Sequence, residues 1–549
     1  MRLKPGAKVF LFIVVLFLLG FGIYKLGWLQ PVIKVVAPEK RPQGNLESGD
    51  WGNVSQAGQD QASTQQAGTT TPAGETTAPP AGGGKLNRPL KCGIVLYGGM
   101  AGGLIANNGK APNTDCVFYK DEGIEVELIQ IDDMPQLVDA FKTGGDKGGV
   151  DMMATTVDMF ALQYNQLAAL KPVTILQTDW SRGADAIAVA KGISSVAQLK
   201  GKKISVAQGT PSHFLLLYLL TQAGMGPNDV NAVFTNSSIE AASVFKAGKV
   251  DACVSWSPDV YIAASERPGA TILASTREAT NLLGGTIVAR GDIVASYPSA
   301  VEGFVKGWIK GVDMANADPD MAAQVLVNSY NVIKLEDATG MLMDVKLGDA
   351  ATNRRLFELD GSVPMGYDAL FNTANKIWKK VGLLDQPNRA DVTRNSSFVA
   401  EATAKQAGTG AKPAEEAPKT PATPSEQKAQ PIVTKPMTVY FATGSSTLDA
   451  NAKSILAGAA EFAQTFGATY IRVSGNTDSV GGRQMNIDLS QRRAQAVVDF
   501  LVKEYGFPKE KFIVKGNGPD KPVASNDTEE GRAKNRRTDF EVIPQEQAQ

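Results

Sequence analysis

Two stretches of this chain are built from residues that cannot bury a core, and they set its layout. Residues 30–87 and 401–435 are dominated by Gly, Ala, Thr, Pro, Gln and Ser, as in TTTPAGETTAPPAGGG and AKPAEEAPKTPATPSEQ. Such composition predicts disordered linkers. They divide the 549 residues into an N-terminal segment, a large region at 88–400 and a small one at 436–544.

The N-terminal segment contains an uncharged apolar run, VFLFIVVLFLLGFGIY at 9–24, preceded by Arg2, Lys4 and Lys8. A bilayer span usually takes about 20 residues. Leu26, Trp28 and Leu29 lengthen the run, and Lys8 and Lys25 can snorkel. Residues 9–29 therefore predict a transmembrane signal anchor, with residues 1–8 a basic cytoplasmic tip and the bulk of the chain periplasmic. A cleaved signal peptide is the competing reading, but no A-x-A-like site follows the run. The expected location is the inner membrane, crossed once.

Charge is balanced, with 55 Lys+Arg against 56 Asp+Glu. That excludes the basic excess of a nucleic-acid-binding protein. A single histidine, His213, argues against a histidine metal site or a Ser-His-Asp hydrolase, and the three cysteines fit no zinc spacing. We expect no catalytic residue, no metal and no cofactor. Cys92 and Cys116 either form a disulfide, which export permits, or lie buried and reduced; Cys253 falls in a strand pattern.

The large region alternates apolar strands (KCGIVLY, VDMMAT, KKISVAQ, VDACVSW) with helical patterns (FLLLYLLTQAG, IEAASVFKAG, VEGFVKGWIKGV). This predicts an α/β fold with parallel sheets. Three strands run into hydroxyl-bearing turns: Thr155-Thr156, Gly209-Thr210-Pro211-Ser212 and Ser257-Pro258-Asp259. In the last two, a hydroxyl N-cap followed by Pro at the first helical position is expected. Helix starts at the carboxyl ends of strands favour anions, and these turns are either a ligand cleft or ordinary strand-to-helix connections. Candidate cleft residues are Gly99 and Met100 after the first strand, Thr155, Thr156, Thr210, Ser212 and Trp256. Arg182 is either an anion partner or a surface arginine, and His213 is expected to pack in the first turn of its helix.

Most of residues 90–399, and most strongly residues 186–260, resemble periplasmic substrate-binding proteins of the nitrate/sulfonate/taurine ABC transporter type. The resemblance rests on Ser-x-x-x-Leu-Lys-Gly-Lys at Ser195 to Lys202, the Gly209-Thr210 turn, Ala-Gly-Met at the next helix end, and Ala-Gly-Lys-Val-Asp-Ala before Trp256. It implies a two-lobed periplasmic-binding-protein fold with crossover strands near 184–190 and 285–290, closing on a small anionic or polar solute. The segment 107–120 departs from the family pattern and reads as an insertion near the cleft. Relatives that make a thiamine precursor use a cysteine-rich stretch and histidines that are lacking here, so no enzymatic activity is expected.

The small region resembles the OmpA-like peptidoglycan-binding domain, an α+β fold, along its whole length. The matching residues include Gly475-Asn476-Thr477-Asp478, Asn486, Leu489-Ser490, Arg493-Ala494 and Asn535-Arg536-Arg537. The resemblance implies that Asp478 and Arg493 hold the diaminopimelate of the peptide stem, with Thr477 and Asn486 beside them. Asn476 stands where the family most often has His. The ligand carries an ammonium and a carboxylate, so one acid and one base suit it. Helical periodicity puts Arg493 at the margin of the buried face and Arg492 on the wet one. Asn535, Arg536 and Arg537 are expected to hold the fold.

Together these features predict an anchored solute-binding protein for transport or sensing, with peptidoglycan as one partner and an inner-membrane transporter or channel as another. The alternative is a stator-like or envelope scaffold whose two-lobed domain docks a partner. The anchor carries no acidic residue, which argues against ion flow through that helix alone.

Overall fold

The structure, a computed structural model, describes residues 84–408, 416–442 and 444–546. The apolar run at 9–24 lies outside the described residues. Among those described, no helix is long and apolar enough to cross a membrane.

The first lobe is a six-stranded sheet in the order β11-β4-β10-β3-β1-β2. Its strands are β1 (Leu90–Ile94), β2 (Val126–Gln130), β3 (Met152–Thr156), β4 (Val173–Ser181), β10 (Gly284–Ala289) and β11 (Val345–Leu347). The second lobe has the order β7-β6-β8-β5-β9. Its strands are β5 (Asp185–Val189), β6 (Lys203–Ala207), β7 (Asn231–Thr235), β8 (Ala252–Trp256) and β9 (Thr271–Ser275). In each lobe the strands that feed helices are parallel, β1 with β2 and β3, and β6 with β7 and β8.

The chain crosses between lobes twice, at 182–184 between β4 and β5 and at 276–283 between β9 and β10. The family resemblance places the crossovers near 184–190 and 285–290, which are largely β5 and β10 themselves. Both strands are buried along their whole length and paired on both sides within their own sheets, so the crossing falls to the residues just before them.

The helix Pro211–Gln222 shows why its sequence has almost no polar face. Thr210 caps it, Pro211 opens it, and every residue from Ser212 to Leu220 is buried. A helix apolar all round needs partners on every side. Here Phe214 meets Trp378 of the first lobe at 5.6 Å, and Tyr218 meets Phe466 of the C-terminal region at 6.4 Å. His213 packs in the first turn, as expected, between Phe234 and Trp378.

The segment 107–120 lies along β2, the outer edge strand of the first sheet, rather than near the cleft. Asn107 is fully buried and donates to the carbonyls of Gly109, Ala111 and Val126, and the Lys110 carbonyl accepts from Leu128 N at 2.8 Å. All three cysteines are buried and free.

The C-terminal region is a four-stranded sheet, β12-β15-β13-β14. Its strands are β12 (Thr434–Met437), β13 (Tyr470–Asn476), β14 (Phe512–Gly518) and β15 (Thr538–Ile543). The helices Ala450–Thr465, Arg483–Tyr505 and Glu529–Asn535 complete it. The pattern MTVYF predicts a first strand over 437–441, but the ladder with β15 ends at Met437. Pro436 is tolerated in this strand because β12 is an edge.

The predicted linker at 401–435 needs a larger correction. Residues 416–435 are described, and they pack: Ala417, Ala422, Ile432 and Val433 are buried, and Val196 N donates to the Ile432 carbonyl at 2.8 Å. The segment has too few apolar residues to fold alone, but each meets a surface already built by the regions on either side. Those regions also touch directly. Tyr218 Oη donates to Thr465 Oγ1 at 3.0 Å, and Asn281 Nδ2, in the second crossover, donates to the Gln464 carbonyl at 2.7 Å.

Candidate functional site

The carboxyl ends of β1, β3, β6 and β8 and the two crossovers converge where the lobes meet. Gly99 lies in a turn after β1 and is buried, as is Met100. A Cβ on Gly99 would lie 2.1 Å from Asp179 Oδ1, and so would one on Gly285. Two glycines, one from each side, thus make room for a single carboxylate. Thr156 caps the helix Val157–Leu167 without a side-chain cap bond, and its hydroxyl is buried without a partner; Thr155 Oγ1 reaches Gln163 Oε1 at 3.3 Å.

In the second lobe Thr210 is committed to its helix. Its hydroxyl accepts from His213 N at 3.2 Å and donates to the Ala207 carbonyl at 2.8 Å. Ser212 faces the junction and donates to Asp185 Oδ1 at 2.6 Å. Trp256 ends β8 opposite Asp185 in register and is 39% exposed. The third capped start differs from expectation. Pro258, not Ser257, occupies the cap position of the helix Asp259–Glu266, and Ser257 N instead donates to the Ala184 carbonyl.

Arg182 is neither of the two things its sequence context allows. Its guanidinium is partly buried and pairs with Glu416 at 2.7 Å, and it also donates to the Thr280 carbonyl. The 416–435 segment supplies the counter-charge, so this arginine is not held ready for a solute.

Sequence reasoning missed the most unusual feature of the junction, its carboxylates. Asp158, Asp179 and Asp185 are 0%, 1% and 7% exposed. Asp179 accepts from Thr178 Oγ1 at 2.7 Å, and Asp185 accepts from Ser212 and, at 3.3 Å, from Ser181. Asp158 stands in the first turn of its helix, and neither oxygen has a partner beyond that turn. Burial pushes Asp158 up to about 7, and it pushes Asp179 and Asp185 up to about 6 against the weaker pull of their hydroxyl partners. The available signal was an acid inside an apolar strand pattern, VTILQTDWS and DAIAV, where a buried charge needs a reason.

In the C-terminal region Asp478 follows β13, and Arg493 immediately precedes Ala494 in its helix, at the edge of the face that buries Ala494, Val497 and Val498. They do not pair with one another. Asp478 Oδ1 accepts from Val480 N at 3.0 Å, and Oδ2 accepts from Arg536 Nη1 at 2.8 Å. Arg493 Nε donates to the Ser445 carbonyl at 2.9 Å and Nη2 to the Ala442 carbonyl at 3.3 Å, with the guanidinium 5.0 Å above the Phe441 ring. A guanidinium has five N–H groups. The inner edge of this one is fixed on backbone, and the outer edge, Nη1 with the second Nη2 hydrogen, keeps a fork for a carboxylate. Burial pulls the Arg493 pKa down while the nearby Asp478 pulls it up, so acid and base share one electrostatic site.

Asn486 Nδ2 donates to the Val480 carbonyl at 2.9 Å, and Thr477 Oγ1 to the Asp478 carbonyl at 2.8 Å. Both shape the loop that presents Asp478. Asn476 points into the sheet, donating to Asp539 Oδ2 and accepting from Asn517 Nδ2, so its departure from the family's His alters the sheet rather than the exposed edge. Arg492 is exposed, as periodicity predicts. Arg536 departs from expectation. It is a direct partner of Asp478 as well as of Glu529, at 2.7 Å.

Known proteins share these two regions separately. Residues 440–536 match the model of the OmpA family, and residues 115–322 match the NMT1/THI5 like model. The probable lipoprotein YiaD of Escherichia coli is 37% identical over 113 residues, covering 21% of this chain and 51% of that protein. A putative binding protein of Brucella abortus is 29% identical over 184 residues, covering 33% of this chain and 56% of that protein. The chain thus spans about half the length of these curated relatives. The periplasmic aliphatic sulphonate binding protein SsuA of Escherichia coli superposes with a TM-score of 0.45 at 18% identity, covering 56% of this chain and 91% of that one. The chain therefore joins an NMT1/THI5-like region to a C-terminal domain of the OmpA family.

Proposed function

We infer that this chain is a non-enzymatic periplasmic protein that closes its lobes on a small solute and grips peptidoglycan with its C-terminal domain. The observation that carries this reading is the placement of buried polar groups at the lobe junction. Asp185 of one lobe and Asp179 of the other flank the first crossover, and the helices starting at Val157 and Pro211 both open towards it. Ligands of open α/β sheets sit at the carboxyl ends of strands, and closure about two short crossovers is a hinge motion. The likeness to a putative binding protein supports the same reading. In the C-terminal domain, Asp478 and Arg493, which do not pair with one another, suit a diaminopimelate stem, which brings an ammonium and a carboxylate.

Residues 9–29 hold the protein to the inner membrane in this proposal, and tethering keeps a captured solute near a transporter or channel partner. Purified full-length chain should pellet with sacculi, and native mass spectrometry should find a small molecule in the two-lobed region. N-terminal sequencing of the membrane fraction should start at or beside Met1. Failure to pellet removes the wall assignment, and a start between residues 25 and 45 removes the anchor.

A further inference from the structure

The charge at the lobe junction identifies the kind of solute. Three carboxylates approach it from different elements: Asp179 at the end of β4, Asp185 at the start of β5 and Asp158 in the first turn of the helix Val157–Leu167. None of them is bonded to a basic side chain. Arg182 is close enough to Asp179 to feel its charge but is bonded to Glu416, and Arg277 pairs with Asp344 at 3.4 Å. His213 is held neutral, its pKa pushed down to about 4 by burial.

Asp158 supplies the independent sign that something is missing. It is fully buried, and its carboxylate has no partner outside its own turn. Asp158 is also close enough to Asp185, on the other lobe, to feel its charge. An uncompensated buried carboxylate is among the more costly groups a fold can contain. The hydroxyl of Thr156, two residues earlier, is likewise buried and unbonded.

An anion entering this space would push further towards the neutral form three carboxylates that burial already disfavours as charges. A cation would relieve all three. The carboxylates do not converge as metal ligands do, since no group of three or more His, Cys, Asp or Glu among the described residues could hold a metal ion. Spaced acids suit an extended organic cation. Trp256 adds an aromatic surface: it lies directly opposite Asp185 on the neighbouring strand, so the two side chains share a face of the sheet. An aromatic face beside a carboxylate is a setting in which ammonium groups bind well.

We propose that the cleft takes an organic ammonium solute, an amine or quaternary amine, with Asp158, Asp179 and Asp185 as its counter-charges and Trp256 as its aromatic wall. This rests on the solute-binding reading and sets a cation in place of the small anionic or polar solute expected from the sequence. The dipole ends of the two helices are met from within, by Ser212 with Asp185 in one lobe and by Asp158 in the other.

The test uses the full chain, titrated calorimetrically and by thermal melting with two sets of probes. One set is putrescine, ethanolamine and choline; the other is ethanesulfonate and nitrate. At least one amine should raise the melting temperature with concentration, and neither anion should. Asp185→Asn, which keeps the Ser212 contact, should weaken the amine at least tenfold. Asp158→Asn should weaken it similarly while making the ligand-free chain more stable, an effect that loss of a merely structural group would not produce. Stabilisation by ethanesulfonate or nitrate with the amines silent overturns the cation assignment and leaves solute binding intact. No response to either set overturns both. Amine binding unchanged in both variants overturns the assignment of these carboxylates.

Discussion

Removing either charge of the wall site should separate binding from folding. Asp478→Ala takes away one partner of Arg536, but Arg536 keeps Glu529 at 2.7 Å, so no buried charge is stranded. Arg493→Ala frees two carbonyls, Ser445 and Ala442, in a half-exposed setting where water can replace the guanidinium. Each variant should therefore fold. Binding is different, because each charge is the one group placed for its half of a zwitterionic ligand. Truncating one member of a buried charge pair costs about 2–5 kcal/mol, and the partial exposure of Arg493 puts this site at the low end. About 2 kcal/mol corresponds to roughly 30-fold in affinity. Arg493→Lys should also bind poorly, since an ammonium cannot hold both backbone carbonyls and still present a planar fork. Arg536→Ala should lose less than Asp478→Ala, because Val480 N still holds Oδ1. Arg492→Ala, on the exposed face, should match the unaltered chain. The assay is sedimentation with purified sacculi, with circular dichroism to confirm folding. Asp478→Ala and Arg493→Ala proteins that are folded and pellet like the unaltered chain would refute the reasoning.

Three further outcomes follow from the geometry. Thr210→Ala should lower folding stability by about 1 kcal/mol, the usual loss of an N-cap, and leave solute affinity within twofold, because the hydroxyl is committed to His213 N and the Ala207 carbonyl; urea denaturation and calorimetry read the two effects apart. His213 has a folded pKa of about 4 against about 6.5 unfolded, so its contribution is intact above pH 6.5 and is lost as pH falls towards 4, when the unfolded chain takes the proton first, by up to about 3 kcal/mol. The three raised carboxylates titrate in the opposite sense, so the check is the difference between the unaltered chain and His213→Asn, which should show a flatter acid limb. Asn281→Ala leaves the Gln464 carbonyl without its 2.7 Å donor and should cost about 1–2 kcal/mol in urea denaturation; an unchanged midpoint would mean that the second crossover is not braced by the C-terminal domain.

The elements of this protein were legible locally. Short apolar runs mark β6 and β8, an apolar run behind Thr-Pro marks the helix Pro211–Gln222, and helical periodicity separates the exposed Arg492 from the half-buried Arg493. These signals work because strand and helix periodicities are complete within one element, and each element reports its own buried face. Partnerships are not written that way. Nothing near Arg182 announces Glu416, more than two hundred residues later, and nothing in a Pro- and Ala-rich stretch shows that Ile432 and Val433 will find a surface. The same holds for Arg536 and Asp478. At the lobe junction the helix starts were readable and suggested an anion, because free N–H groups at a helix end favour negative charge. Only the tertiary structure brings Asp158, Asp179 and Asp185 to one place while bonding the neighbouring arginine to Glu416. The sign of that site is a sum over side chains from both lobes, and it exists only once the two crossovers have folded them together.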